Sequence, residues 1–210
     1  MIKSVVGQRL DALIHRLFPF LFWRPLDPDT LTIAGTLVSV GAAWALAEGA
    51  LVTGGILILA GGFFDLVDGV VARHQGISTR FGGFLDSTLD RVVDMALLVG
   101  ISVHYARLGD PGGVALAGAA ATASVLVSYA KARAELDGPS IEVGMLERGE
   151  RIGLLAAGSI LGFLGVALWI ILIGSTITVG QRFAAAREAL NALDAADAAT
   201  GSAADEEAHE

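Results

Sequence analysis

Four aspartates fall within one stretch of strongly apolar sequence: Asp65-Leu-Val-Asp68 and, after a short gap, Asp86-Ser-Thr-Leu-Asp90. A carboxylate in hydrocarbon is costly, so acids placed there line a cavity, bind a cation or carry protons. The i,i+3 and i,i+4 spacings put each pair on one face of its helix. Four hard oxygen donors converging from two helices suit Mg²⁺ or Mn²⁺, metals that serve phosphoryl chemistry. The plainer alternative is a scaffold of carboxylates paired with Arg73, Arg80 and Arg91, but desolvating four acids for structure alone is expensive. Asp94 extends the Asp86–Asp90 face by one turn, either supporting the ligands or pairing with an arginine.

The elements that must position these groups follow from composition. The chain has 210 residues, 54% of them hydrophobic, with a mean hydropathy of +0.65, which places it among membrane proteins. There is no cysteine, so disulfides and thiol catalysis are excluded, and the four histidines lack zinc-site spacing. The first 23 residues carry charges throughout, unlike a cleavable signal peptide. The net charge of −8 is local in origin: seven of the 22 acids lie beyond Arg187, leaving 15 against 14 Lys and Arg. No nucleic-acid partner is expected.

Three regions are expected. Residues 1–24 carry Val5, Val6, Leu10, Leu13, Ile14, Leu17 and Phe18 on one helical face and end in aromatic residues, an amphipathic helix for the membrane interface. Pro25 and Pro28 break the chain, with Asp29 or Thr30 capping the first span. Residues 25–189 hold six apolar segments, near 30–48, 51–73, 82–107, 111–136, 149–163 and 166–187. The expected fold is therefore an all-α integral membrane protein, six transmembrane helices preceded by the interfacial helix. Residues 190–210 are Ala-rich and acidic, a solvated, disordered tail.

Six spans put both termini on one side. Thirteen of the 14 Lys and Arg then share that side, with Arg107 alone opposite, which makes it cytoplasmic in a multi-pass protein of the cell membrane. The second span descends to Arg73 and the third returns from Gly82, so the hairpin brings the two aspartate pairs to one shallow depth. Small residues at Gly69 and Ala72 let a ligand approach the backbone there. Gly112, Gly113, Gly118 and Ala119–Ala121 offer a face for close helix contact, and a homodimer is expected.

The pattern D-x-x-D-G-x-x-A-R, eight residues, G-x-x-x-D-x-x-x-D is matched by Asp65, Asp68, Gly69, Ala72, Arg73, Gly82, Asp86 and Asp90. It resembles the signature of the CDP-alcohol phosphotransferase family. That resemblance implies two divalent cations, Mg²⁺ or Mn²⁺, held by Asp65, Asp68, Asp86 and Asp90, with Asp90 also acting as base. It implies that Gly69, Ala72 and Arg73 contact the cytidine nucleotide of CDP-diacylglycerol. Pro28, Asp29 and Thr32 resemble the family's further nucleotide contacts.

A second cluster bears on the acceptor. Ser128-Tyr-Ala-Lys131-Ala-Arg133-Ala-Glu135, then Glu147-Arg148-Gly-Glu-Arg151, then Gln181-Arg182 place five cations near the cytoplasmic helix ends. Lys131, Arg133, Arg148, Arg151 and Arg182 can converge on a phosphorylated polyol, or each can meet lipid headgroups. The run resembles the phosphatidylinositol phosphate synthase branch, which implies inositol 1-phosphate as acceptor. Phosphatidylglycerophosphate synthases, which use glycerol 3-phosphate, share the aspartate pattern. A cation or proton transporter is a different class compatible with intramembrane acids, but it leaves the glycine and Ala-Arg positions unexplained.

Overall fold

The structure, a computed structural model, describes the backbone of residues 27–75, 79–138 and 140–207, and their side chains except those of 72–75, 137 and 197–207. The expected interfacial helix at 1–24 lies outside the described residues, as do the side chains of Ala72 and Arg73. Among the described residues six helices run in order: α1 (Pro28–Ala47), α2 (Leu51–Gln75), α3 (Arg80–Arg107), α4 (Pro111–Asp137), α5 (Arg148–Leu161) and α6 (Leu164–Glu207). No strand occurs among the described residues.

Local chemistry sets the boundaries. The cap of α1 is Asp27 rather than Asp29 or Thr30: its side chain accepts from Asp29 N–H at 3.2 Å and from the Thr30 hydroxyl at 3.0 Å. Pro28 fits the first helical position, where no N–H is needed. Thr79 caps α3 by accepting from Gly82 N–H at 2.9 Å, and Asp110 caps α4 by accepting from Gly113 N–H at 3.0 Å. Gly162 ends α5 with a left-handed φ of 81°, which a side chain would resist. The segment beyond 190 is helical to Glu207, in place of the expected disordered tail. Its Ala-rich composition lacks a core-forming face but has high helix propensity, and it extends a helix already nucleated.

Among the described residues, four helices are long and apolar enough to cross a membrane: α1, α2 over Leu51–Val71, α4 over Pro111–Leu136 and α6 over Leu164–Ala196. Helix α3 is long enough, but it carries Asp86, Asp90, Arg91 and Asp94. Helix α5 has 14 residues, about 21 Å at ~1.5 Å per residue, against a hydrocarbon core of about 30 Å.

The main packing contacts run α1–α2–α5–α6–α4–α3 and back to α1, a closed ring. Its apolar core, including Ala42, Leu46, Ile58, Leu97, Ile101, Leu155, Leu168 and Ile171, fills one half. The other half holds the carboxylates. Large apolar side chains face outward, Trp44 at 74% and Leu37 at 66% exposure among them, as lipid contact requires. Close helix approach depends on glycine at Gly100, where a Cβ would collide with the Ala43 backbone of α1. Of the small residues on α4, Gly113 and Ala120 are buried within the chain, while Gly112, Gly118 and Ala119 are exposed. At the end away from the carboxylates, Arg107 donates to both Glu48 oxygens at 2.6 and 2.9 Å. These bonds hold the Glu48 carboxyl below its ordinary range.

Candidate active site and metal centre

The last turns of α2 and the first turns of α3 face each other across the hairpin. Oxygens of Asp65, Asp68 and Asp86 all lie within 4.8 Å of one another. Donors around one Mg²⁺ or Mn²⁺ at ~2.1 Å stand roughly 3–4 Å apart, so this oxygen-only set fits such an ion. Asp68 is the most enclosed, at 5% exposure, and the Thr32 hydroxyl of α1 donates to its Oδ2 at 2.6 Å. That bond fixes the carboxylate's orientation as a hydrogen bond from outside the ligand shell does. Thr32, expected at the nucleotide, is thus committed to Asp68. Pro28 and Asp29 sit at the start of α1, where a Cβ on Gly82 would come within 3.1 Å of Asp29 Oδ1, so the mouths of α1 and α3 adjoin. Gly69 follows Asp68 and is half-buried.

Asp90 stands outside the three-carboxylate cluster. Its Oδ1 pairs with Arg148 Nη2 at 2.9 Å and its Oδ2 lies 3.8 Å from Arg91 Nη1. Arg148 opens α5 and reaches inward, donating from Nη1 to Asp65 Oδ2 at 2.9 Å and placing Nε 3.5 Å from Asp94 Oδ1. One guanidinium therefore spans three carboxylates. Asp94 is also paired with Arg151 through Oδ2 at 2.8 Å.

Two of the five expected acceptor cations, Arg151 and Arg182, are engaged by acceptors inside the protein. Arg151 is 3% exposed and bound to Asp94, with Nη1 3.5 Å from the Leu146 carbonyl. Arg182 is 6% exposed and donates to the Val143 carbonyl at 3.0 Å and the Val127 carbonyl at 2.6 Å. It fastens the loop before α5 to α4 and α6, helped by Thr178, which accepts from Leu146 N–H, and Gln181, which accepts from Met145 N–H, each at 3.0 Å. The physical reason is the same for both arginines: a desolvated cation takes the nearest acceptors, carboxylate or carbonyl, before it can serve a ligand.

Lys131 is placed differently. With Ser87, Thr88 and Arg91 of α3 and Ser128, Tyr129 and Glu135 of α4, it lines a cavity of about 600 Å³. Lys131 pairs with Glu135 at 3.7 Å, and both remain about one-third exposed. Arg133 on the same helix is exposed. Arg91 is a ligand-site candidate that the sequence reading misses, although its signal is present. It follows Asp90 by one residue, and Ser87–Arg91 and Ser128–Lys131 are facing stripes on packed helices.

The family model described as CDP-alcohol phosphatidyltransferase matches residues 26–186. An archaetidylinositol phosphate synthase of Methanothermobacter thermautotrophicus is 43% identical over 162 residues, covering 77% of each chain. A phosphatidylinositol phosphate synthase of Streptomyces avermitilis is 41% identical, over 94% of this chain and 88% of that one. Among solved structures, a Mycobacterium tuberculosis phosphatidylinositol phosphate synthase with manganese and citrate has a TM-score of 0.73 and 30% identity, covering 87% of this chain and 90% of its own. The same enzyme with CDP-DAG bound gives a TM-score of 0.71, at 86% and 93% coverage.

Proposed function

Because the chain belongs to the CDP-alcohol phosphatidyltransferase family, we propose that it moves the phosphatidyl group of CDP-diacylglycerol onto inositol 1-phosphate, releasing CMP and forming phosphatidylinositol phosphate. The observation that carries this reading is the Asp65–Asp68–Asp86 cluster, with a cavity lined by Lys131 and Arg91 on the helix pair α3–α4. The relatives named as inositol phosphate synthases support the acceptor. The solved neighbours with CDP-DAG and with manganese support the donor and the cation.

Asp65, Asp68 and Asp86 would hold the divalent cation, with Thr32 orienting Asp68. When bound, Mg²⁺ or Mn²⁺, two ions by family resemblance, neutralises the pyrophosphate and favours departure of CMP. Asp90 accepts the proton of the attacking inositol hydroxyl as the new phosphorus–oxygen bond forms and the bond to CMP breaks. Pro28, Asp29, Gly69, Ala72 and Arg73 form the nucleotide side of the site. Lys131 and Arg91, with Ser128 beside them, receive the acceptor phosphate, and Arg133 and Arg148 flank it. Arg151 and Arg182 hold the frame.

All six helices cross the bilayer in this reading, with α3 and α5 shielded by their neighbours in the ring and the site facing the cytoplasm. Residues 1–24 lie on the interface, 25–189 form the catalytic unit, and the exposed stripe of Gly112, Gly118 and Ala119 mediates a homodimer. The deciding assay supplies purified protein, CDP-diacylglycerol and Mg²⁺ with inositol 1-phosphate, glycerol 3-phosphate, inositol or serine, scoring CMP release. Inositol 1-phosphate is expected to give the highest kcat/KM. Preference for glycerol 3-phosphate would overturn the acceptor, and no metal-dependent CMP release with any acceptor would overturn the activity.

A further inference from the structure

The Arg148 guanidinium leaves part of its own bonding capacity, and part of Asp94's, unused. Nη1 and Nη2 reach Asp65 and Asp90 at 2.9 Å each. Nε faces Asp94 Oδ1 at 3.5 Å, and neither of these two fully buried atoms makes a hydrogen bond. A buried charged donor facing a buried charged acceptor without closing the bond is a costly arrangement. A displacement of under about 1 Å would bring Nε within the ~2.7–2.9 Å of a charge-assisted bond, drawing the guanidinium away from Asp65 and Asp90. Asp94 itself is held, because Arg151 grips its other oxygen at 2.8 Å. Arg148 thus faces three carboxylates and bonds closely to only two of them.

Asp65 also belongs to two networks. Its carboxylate converges with Asp68 and Asp86, and its Oδ2 accepts from Arg148. A divalent cation on Asp65 would draw on the same carboxylate and repel the guanidinium beside it. We infer that Arg148 is an exchangeable internal cation. It sits on Asp65 and Asp90 in one arrangement and closes on Asp94 when Asp65 takes a divalent cation, uncovering Asp90. This rests on the reading of Asp65, Asp68 and Asp86 as metal ligands and of Asp90 as the base. Cation loading and exposure of the base are then one coupled event, and by linkage whatever holds Arg148 on Asp90 weakens cation binding.

The test uses the full chain in nanodiscs. Loss of the free Mn²⁺ signal in electron paramagnetic resonance gives the affinity, and the arginine Nε–H resonance of Arg148, assigned by its disappearance in Arg148→Lys, reports its position. Arg148→Gln is expected to bind Mn²⁺ about ten-fold more tightly, the scale of one charge-assisted hydrogen bond. In the wild type, saturating Mg²⁺ is expected to shift the Nε–H resonance and slow its exchange with solvent. Asp94→Asn is expected to bind Mg²⁺ without that change. Unchanged or weaker Mn²⁺ binding in a folded Arg148→Gln overturns the exchange, as does a wild-type Nε–H resonance unmoved at saturation. In either case, Mn²⁺ binding abolished by Asp68→Asn leaves the metal reading standing. Absence of Mn²⁺ binding by the wild type overturns both.

Discussion

Arg151→Ala separates the two roles an arginine can have near this site. In the structure its guanidinium is buried and its Nη2 lies 2.8 Å from Asp94 Oδ2. Removing one partner of a buried ion pair costs about 3–5 kcal/mol, because the other charge is left without compensation. Arg148 Nε stays within 3.5 Å of the second Asp94 oxygen, so the loss belongs at the lower end, about 3 kcal/mol. At roughly 2–4 °C per kcal/mol for a chain of this size, the melting temperature should fall by about 6–12 °C. The assay is a thermal melt of detergent-purified protein, read by the fraction remaining monodisperse, beside kcat and KM for both substrates. Joint replacement by Asp94→Leu and Arg151→Met should recover most of the lost melting temperature, since well-packed apolar residues commonly match a buried pair. A variant that melts like the wild type while only its acceptor KM rises would refute this reasoning and make Arg151 a substrate ligand.

Thr32→Val removes the hydroxyl that donates to Asp68 at 2.6 Å. A hydrogen bond to a charged group is worth about 1.5–3 kcal/mol, so the apparent Mn²⁺ affinity should weaken ten-fold or more, measurable by the same paramagnetic titration. Lys131→Ala should raise the acceptor KM with little change in the KM for CDP-diacylglycerol, because none of the four aspartates lines its cavity. Steady-state kinetics with each substrate varied in turn would show this, and an equal effect on both would contradict it. Gly100→Leu should abolish stable folding or lower the melting temperature sharply, since even a Cβ collides with the Ala43 backbone.

Most of the helical framework was legible because hydrophobic runs and punctuation coincide. The segments near 51–73 and 111–136 emerge as Leu51–Gln75 and Pro111–Asp137, bounded by Gly49, Gly109 and the Asp110 cap. The helical end of α6 is harder to read, because low hydrophobicity argues against a core but not against a helix that continues from a packed one. The carboxylate cluster was legible for a geometric reason: i,i+3 and i,i+4 pairs on either side of a short hairpin have few ways to avoid meeting.

The cations were not legible in the same way, and the difference is physical. A carboxylate on a helix is short, so its position is nearly that of its Cα, and spacing along the chain predicts where it acts. An arginine head lies at the end of a long flexible stem, and its target depends on which desolvated acceptors neighbouring helices leave unsatisfied. Arg148 and Arg151 are three residues apart on one helix, yet one spans Asp65, Asp90 and Asp94 while the other is sealed against Asp94 alone among the acids. Arg182, expected with them, is turned to carbonyls of α4 and the preceding loop. Counting positive charges near the carboxylate end of the helices therefore overstates what is available to a phosphate. Subtracting those already claimed by buried acceptors leaves the α3–α4 cavity, where Lys131 and Arg91 face open space, as the place where acceptor specificity should be sought.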